Sequence, residues 1–447
     1  MFRSRPYHNA IALVLCGAAC ARPALAALDL ETALRDVATS SPTLSARGAR
    51  VEAARRRVAP DGAWPAPTLE VGVVNVPTSG RFDADPMTMT MIGASQSVPI
   101  FGAPGLARRA AREAVNEESA VGEMARFEAF GLAWEAYADA WAAVEMARVA
   151  QEHQSVMDRL VQSARARYES GNGRLEDILS AQAEQARLRS DLVTFQAEEL
   201  SARARLDALR GQPPGSTSDS FTPPPAPAMQ AAPAEWLVAV TPDHPRLREA
   251  DARVRRYRFS ARAARRMAWP TLELRGSYGW RRTLVATAHG GPLEQDDMFS
   301  ASVGFMLPIF AGASGRSEGA ALEAMARASE AERRAAELEL RQQVVSAHAA
   351  AAARRRAIGL LADTVLTTQQ RAVEASWTAY RAGTTDLWRV FESNHALYAE
   401  EIALARARQE LAGAQARLVS LTGRTDLLGV APPVESQPVG DSPRSEP

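Results

Sequence analysis

The feature that most constrains this chain is that one arrangement of residues occurs in it twice. Val98-Pro99-Ile100-Phe101 returns as Leu307-Pro308-Ile309-Phe310. Other matching pairs keep the same order and nearly the same spacing: Ser41-Pro42 with His244-Pro245, Pro67-Thr68-Leu69-Glu70 with Pro270-Thr271-Leu272-Glu273, and Ala204-Arg205-Leu206 with Ala416-Arg417-Leu418. Self-similarity of this kind indicates an internal repeat. We therefore place one repeat at residues 27–211 and a second at residues 243–424, and we expect the same elements in both.

Each repeat contains two long stretches typical of helices. The first runs from Gly105 to Tyr168 and returns from Gly315 to Tyr380, without proline and rich in Ala, Arg, Glu, Gln and Leu. At about 1.5 Å per residue, roughly 65 residues form a rod about 100 Å long. The second covers residues 174–210 and 386–422, where apolar residues recur at helical spacing. A compact globule does not need rods of this length, so we expect extended helical hairpins.

Before the rods, each repeat has a short predicted helix, at residues 42–62 and 244–267, and two strand-like runs. In the second repeat Leu272, Leu274, Tyr278 and Trp280 alternate with the polar Thr271, Glu273 and Arg275. A run of about 10 alternating residues is long enough to cross a bilayer, with Tyr278 and Trp280 as interface aromatics. Alternation is also typical of a soluble sheet, so both interpretations stay open. The first-repeat strands, at 68–76 and 88–98, alternate less regularly.

A membrane-crossing role places strict conditions on this chain. After the N-terminal segment no run approaches about 18 apolar residues, so no transmembrane helix is predicted and a crossing has to use strands. Four strands cannot close a barrel, and lipid does not tolerate open sheet edges. Three copies supply twelve strands. The predicted fold is mostly α with transmembrane β: a homotrimer whose 12-stranded barrel continues into long helices.

The two ends and the middle of the chain have the composition of processing and linker segments. Residues 1–26 combine Arg3 and Arg5, an apolar run and Ala24-Leu25-Ala26, which predicts a cleaved signal peptide. Lipidation at Cys20 is the alternative. Cys16 and Cys20 both lie in this segment, so no thiol is expected in the exported protein. Residues 212–242 form a proline-rich linker, and residues 425–447 form a Pro/Ser-rich tail.

Composition and motifs exclude several functions. The formal net charge is zero and there is no lysine or basic block, so nucleic acid is not an expected partner. The six histidines are dispersed and form no ligand pair, so no metal site or cofactor is predicted. No nucleophile elbow, phosphate loop or zincin motif occurs, so we do not expect an enzyme.

The duplicated order of short helix, strand pair and long hairpin resembles the TolC-type outer-membrane factor family. The residues that carry the resemblance are the strand-to-helix joints at Pro99 and Pro308 and the Tyr-x-x-Gly turns at Tyr168/Gly171 and Tyr380/Gly383. The resemblance implies a homotrimer in the outer membrane of a Gram-negative bacterium, with a long α-helical barrel in the periplasm. It also implies three partners: outer-membrane lipid, a periplasmic adaptor (membrane fusion) protein and an inner-membrane pump.

The same resemblance places the Tyr-x-x-Gly turns at the periplasmic tip, where the tunnel narrows. Asp386, Arg389 and Glu392 share one helical face, and with Asp177 they are our candidates for the gate. The best-known members of the family have aspartates where this chain has Arg389 and Glu392, which favours a mixed ring or a salt-bridged closed state. A merely solvated helix face is the alternative. The tyrosines either pack their hairpins or contact the adaptor.

Three features of the first repeat resemble the cation-efflux branch of CzcC- and CusC-like proteins: Asn75-Val76-Pro77, the run Met87-Thr88-Met89-Thr90-Met91, and Ser95-Gln96. Thioethers suit Cu(I), but we interpret these methionines as hydrophobic cover on the lipid side of a strand. The predicted function is a duct for heavy-metal cation efflux. Drug efflux and type I secretion are alternatives, and a periplasmic coiled-coil adaptor or structural protein is an alternative of another class.

Overall fold

The computed structural model describes residues 27–80, 82, 85, 87–217, 220–225, 232–281, 295–309 and 311–431. The predicted signal segment, with Cys16 and Cys20, lies outside the described residues. So do most of the predicted C-terminal tail and most of the loop between the two strands of the second repeat.

The described chain is mostly helical, as predicted, and its elements occur in the same order in both halves. The first half contains α1 (Leu30–Ser40), α2 (Pro42–Asp61), β1 (Thr68–Val74), β2 (Met89–Val98), α3 (Ala103–Glu169) and α4 (Leu175–Leu209). The second contains α5 (Pro233–Leu237), α6 (Pro245–Met267), β3 (Thr271–Arg281), β4 (Met298–Met306), α7 (Ala311–Leu360), a π-helical turn (Leu361–Leu366), α8 (Thr367–Arg381), α9 (Leu387–Thr422) and a 3₁₀ turn (Asp426–Leu428).

Four of these elements were not predicted from the sequence: α1, α5, the π-helical turn and the 3₁₀ turn. Asp29 caps the start of α1, because its carboxylate accepts a hydrogen bond from the Thr32 N–H at 2.7 Å. The helix buries Leu34 and Val37. The π-helical turn interrupts the first rod of the second hairpin, whereas α3 is continuous. The rod from Pro308 to Tyr380 is longer than the one from Pro99 to Tyr168, and a π turn takes up extra residues within a helix.

The four strands form one antiparallel sheet in the order β1-β2-β3-β4, so the pair β2–β3 joins the two halves. The register places Val71 beside Ile92, Ile92 beside Tyr278, and Tyr278 beside Phe299. One face is therefore mainly apolar, with Leu69, Val71, Val73, Ile92, Ala94, Val98, Leu272, Leu274, Tyr278, Trp280, Phe299, Ala301, Val303 and Phe305. The opposite face carries Glu70, Ser95, Ser97, Thr271, Glu273, Arg275, Ser277, Ser300 and Ser302.

The apolar face is uncovered in the single chain. Val71 is 72% exposed, Phe299 73% and Val303 67%. A contiguous exposed apolar face of this kind marks a surface that contacts lipid or another protein. In the described chain, β1 and β4 pair on one side only, so both edges of the sheet are open for further strands.

Our interpretation of the methionine run was wrong. Met89 and Met91 lie on the polar face: Met91 is beside Gly72 on one side and Gly279 on the other, and Gly279 is beside Met298. The apolar residues of β3 fix the register, which puts Ile92 and Ala94 of β2 on the apolar face and turns their odd-numbered neighbours to the other side. Met87 precedes β2. The methionines therefore share a face with Glu273 and Arg275.

The long helices pack side by side, and α3 contacts α2, α4, α6 and α9. Ion pairs support the contact between α3 and α6: Arg248 binds both carboxylate oxygens of Glu123 at 2.8 and 2.9 Å, and Arg255 binds Glu113 at 2.9 Å. No described helix combines the length and the apolar character needed to cross a membrane.

A buried core surrounds the middle of α3, and the described part of the linker packs on it. Trp134, Tyr137 and Trp236 are fully buried there. The Tyr137 hydroxyl lies 2.8 Å from the carbonyl oxygens of both Leu28 and Thr222, and burial raises the pKa of Tyr137 to about 12. The phenol therefore stays protonated. It fixes the linker and the N-terminal segment against the helices.

Candidate functional site: the paired tip turns and the contacts of α9

Two helix-to-helix turns of the same geometry end the long hairpins. After α3, Gly171 has a φ of 77°, and the Asn172 N–H donates to the Arg167 carbonyl at 2.8 Å. After α8, Gly383 has a φ of 72°, and the Thr384 N–H donates to the Ala379 carbonyl at 3.0 Å. This is the Schellman arrangement, in which a left-handed residue ends the helix, and glycine adopts that conformation without strain. The sequence therefore sets the position of both turns.

The tyrosines of the two turns differ in their surroundings. Tyr380 is 9% exposed, and the Arg167 guanidinium of the other hairpin lies over its ring at 4.8 Å from the ring centre. Within the described chain its hydroxyl is buried without a hydrogen-bond partner. Tyr168 is 47% exposed. Tyr380 therefore packs between the two hairpins, whereas the ring of Tyr168 is exposed at the surface.

The turns also form a shared polar cavity of about 370 Å³. Its lining brings Asp177 of the first hairpin together with Asp386 of the second, alongside Arg167, Arg174 and Thr384. Two of the four candidate gate residues, 209 positions apart, therefore meet at the tip. Arg389 and Glu392 do not line this cavity.

The second-hairpin candidates form a row along the first turns of α9. The Asp386 carboxylate accepts a hydrogen bond from the Arg389 N–H at 3.2 Å and so caps the helix. The Arg389 guanidinium donates to Glu392 at 3.0 Å, and these side chains are 68% and 55% exposed. An exposed pair of this kind contributes about 0–1 kcal/mol. The row is thus a solvent-facing series of alternating charges.

Side chains that the sequence analysis did not select attach α9 to the first hairpin. His153 of α3 lies 2.7 Å from the Glu401 carboxylate, and His395 lies 2.6 Å from Glu184 of α4. The Tyr398 hydroxyl donates to the Asp191 carboxylate of α4 at 2.8 Å. We call these three pairs the α9 clamp. Their partners stand more than 200 positions apart, so no local pattern could have revealed them.

Burial makes the tyrosine pair the best-defined member of the α9 clamp. Tyr398 is 7% exposed, and its ring lies 5.3 Å from that of His153. Burial raises the pKa of Tyr398, and the neighbouring Asp191 carboxylate raises it further. The phenol therefore remains a donor at neutral pH. A hydrogen bond to a charged acceptor contributes about 1.5–3 kcal/mol.

At the other end of the helices, Pro99 directly follows β2, and Gly102, with a φ of 78°, leads into α3. Pro308 stands two positions after the end of β4, ahead of α7. A residue without an N–H can end a strand ladder at no cost. Tyr278 and Trp280 both lie on the apolar face, 39% and 46% exposed, with ring centres 5.2 Å apart. They are at the end of β3 away from the helices.

An exposed apolar sheet with open edges, carried by two long helical hairpins, defines the class of outer-membrane channel subunits. The model of the family called outer membrane efflux protein matches residues 33–212 and 237–424. The chain therefore belongs to the outer membrane efflux protein family, as the sequence resemblance predicted. It is located in the outer membrane and extends into the periplasm, which rules out our periplasmic adaptor alternative.

Individual relatives are similar at low identity. The outer membrane efflux protein BepC of Brucella suis biovar 1 (strain 1330) is 24% identical over 300 residues, which are 66% of this chain and 63% of that protein. The chain thus matches less than two thirds of this relative's length. The outer-membrane channel OprN superposes with a TM-score of 0.71 at 20% identity, covering 88% of this chain and 90% of its own. CusC superposes with a TM-score of 0.67 at 17% identity, covering 90% and 92%.

Proposed function

We propose that three copies of this chain form the exit duct of a tripartite efflux system. The observation that carries the proposal is the sheet with one apolar face, one polar face and two open edges. Pairing β4 of one copy with β1 of the next satisfies every edge and closes twelve strands into a barrel. The apolar face then contacts lipid, and the face with Glu273 and Arg275 lines the lumen. The duct conducts passively and has no catalytic role.

The polar helices continue the duct into the periplasm, where the tip turns meet the other components. Tyr168, with its exposed ring, and the turn glycines Gly171 and Gly383 are the proposed contacts for a periplasmic adaptor, which links the duct to an inner-membrane pump. Exposed aromatic side chains are common anchors of protein interfaces. The buried Tyr380 serves instead to hold the two hairpins together.

We further propose that the tip is the gate. Threefold symmetry repeats Asp177, Asp386, Arg389 and Glu392 as charged rings around the axis. Opening the tip requires the start of α9 to move away from the first hairpin, so the α9 clamp stabilises the closed state. Each broken clamp contact then shifts the population toward the open duct.

For the transported substrate we propose heavy-metal cations, with an RND-type pump. The first-repeat residues that resemble the cation-efflux branch support this substrate. So do Met89, Met91 and Met298, because on the polar face their thioethers line the proposed lumen and suit soft cations. Drug-like organic compounds are the second candidate, favoured by an aromatic cavity described below.

A deletion strain tests the substrate. Loss of the chain should lower tolerance to Cu, Zn, Co and Cd salts, and plasmid-borne full-length protein should restore it. Unchanged metal tolerance, in a strain without a second duct, would contradict the cation proposal. Increased sensitivity to detergents and antibiotics alone would favour the second candidate. Purified protein in planar bilayers should conduct ions in either case.

A further inference from the structure

An open cavity lies at the joint between β2 and α3, and the duct function does not require it. Its volume is about 420 Å³, within the range of small-molecule sites. Three aromatic side chains, Trp64, Phe101 and Trp269, line it together with the prolines of the joint and the end of α6. The rings of Phe101 and Trp269 are in contact, with centres 4.8 Å apart. The cavity is therefore lined mainly by apolar and aromatic groups.

The cavity opens on the polar side of the sheet. Ser97 and Thr271 are among its lining residues. Ser97 is beside Glu273, and Thr271 precedes Glu273 by two positions, so both hydroxyl residues belong to the polar face. Ile100, which alternates with the lining residues Pro99 and Phe101, is 49% exposed and does not line the cavity. If the polar face lines the lumen, as proposed, the cavity opens into the duct.

One cationic group faces the cavity. The Arg266 guanidinium lies 5.8 Å from the centre of the Trp269 ring and donates to the Phe101 carbonyl at 3.4 Å, a long hydrogen bond. No carboxylate in the described part of the chain forms an ion pair with it. Asp61 also lines the cavity, at the end of α2. A guanidinium held on an indole face retains donors for an anion, and the adjacent rings can stack on an aromatic group.

We infer that this cavity binds aromatic organic anions, such as aryl carboxylates or sulfonates, as they pass along the duct. Arg266 binds the acidic group, while Trp64, Phe101 and Trp269 contact the ring. This inference rests on one part of the proposed function, namely that the polar face of the sheet lines the lumen. Ser97 of β2 and Thr271 of β3 line the cavity, and these are the two inner strands of the sheet.

Current block in planar bilayers tests the inference. Naphthalene-2-sulfonate, added to the full-length trimer, should reduce the single-channel current with saturation, and the uncharged 2-naphthalenemethanol should bind about tenfold more weakly. Arg266→Gln should weaken the sulfonate block about tenfold, and Arg266→Lys should weaken it less. Trp269→Ala should weaken both aromatic probes. Trp280→Ala, an exposed tryptophan on the opposite face, is the matched control and should leave the block unchanged.

The control for charge is Arg275→Gln, which removes a guanidinium from the polar face outside the cavity lining. If Arg275→Gln weakens the block as much as Arg266→Gln, general lumen charge explains the effect and the inference is overturned. A conducting wild-type channel that the sulfonate does not block also overturns it, as does equal block by the sulfonate and the alcohol. These probe comparisons need no variant. A protein that conducts no ions contradicts the duct function itself, which is a separate outcome.

Discussion

Replacing Tyr398 with phenylalanine should open the duct. The variant removes one hydroxyl that donates to Asp191 at 2.8 Å and leaves the buried ring in place. A hydrogen bond to a charged acceptor contributes about 1.5–3 kcal/mol, and the lower value suits Asp191, which is partly exposed. About 1.4 kcal/mol is tenfold in an equilibrium constant, so each copy should favour the open state about tenfold more. If the three copies move together, the shift approaches about 10³.

Single-channel recording in planar bilayers measures this shift as open probability. Tyr278→Phe is the matched control, because Tyr278 also donates to a carboxylate, that of Asp297 at 2.6 Å, but lies on the sheet far from the tip. We expect a rise in open probability of at least about tenfold for Tyr398→Phe and no change for Tyr278→Phe. A folded Tyr398→Phe trimer with the open probability of wild type would refute the role of the α9 clamp.

Two further predictions concern stability. Burial lowers the pKa of His244, whose Nε2–H donates to the Leu421 carbonyl at 2.9 Å while Nδ1 accepts from the Arg246 N–H, so the folded protein holds this ring neutral. The unfolded chain binds a proton at His244 below about pH 6.5, so the free energy of unfolding should fall as the pH drops through that value. In thermal melts between pH 7.5 and 5.5, His244→Gln should show a flatter dependence on pH. A steeper slope in the variant would contradict it. At the tip, no atom lies within 4 Å of a Cβ added to Gly171. Gly171→Ala should therefore lower the free energy of unfolding only through left-handed backbone strain, by about 1–2 kcal/mol, and Gly171→Asn should lower it less. Equal melting temperatures for Gly171→Ala and wild type would show that the turn is not constrained.

The sequence alone was enough to predict the elements whose signals are local. The long proline-free runs set α3 and α7, alternation in the second repeat marks β3 and β4, and the turn glycines mark the tips. Each of these depends on neighbouring residues, so it can be found without knowing the tertiary structure.

Features that depend on distant pairing could not be found in this way. The side of the sheet on which Met89 and Met91 lie is decided by the register with β3, nearly 190 positions away, and not by the methionine spacing. The α9 clamp joins residues of opposite halves. The difference between Tyr168 and Tyr380 arises because Arg167 covers only one of the two rings. Repetition in sequence therefore predicted equal backbones but not equal environments.

In the proposed duct, copies of this chain close one barrel by pairing β4 with β1 of the next copy. Within one chain Val98 is beside Leu272. The repeat makes Leu307 and Leu69 their equivalents, so the same register places Val303 beside Val73 of the next copy. Paired positions of a sheet are close enough for a disulfide.

Oxidation of the Val73→Cys/Val303→Cys variant in membranes tests directly whether β4 of one copy pairs with β1 of the next. Both natural cysteines lie in the predicted signal segment, so a cleaved protein adds no competing thiol. We expect covalent trimers on a non-reducing gel, and only weak cross-linking for the control Leu69→Cys/Val303→Cys, which is four positions out of register. Uncross-linked monomers, or cross-links that stop at dimers, would contradict the closed trimeric barrel.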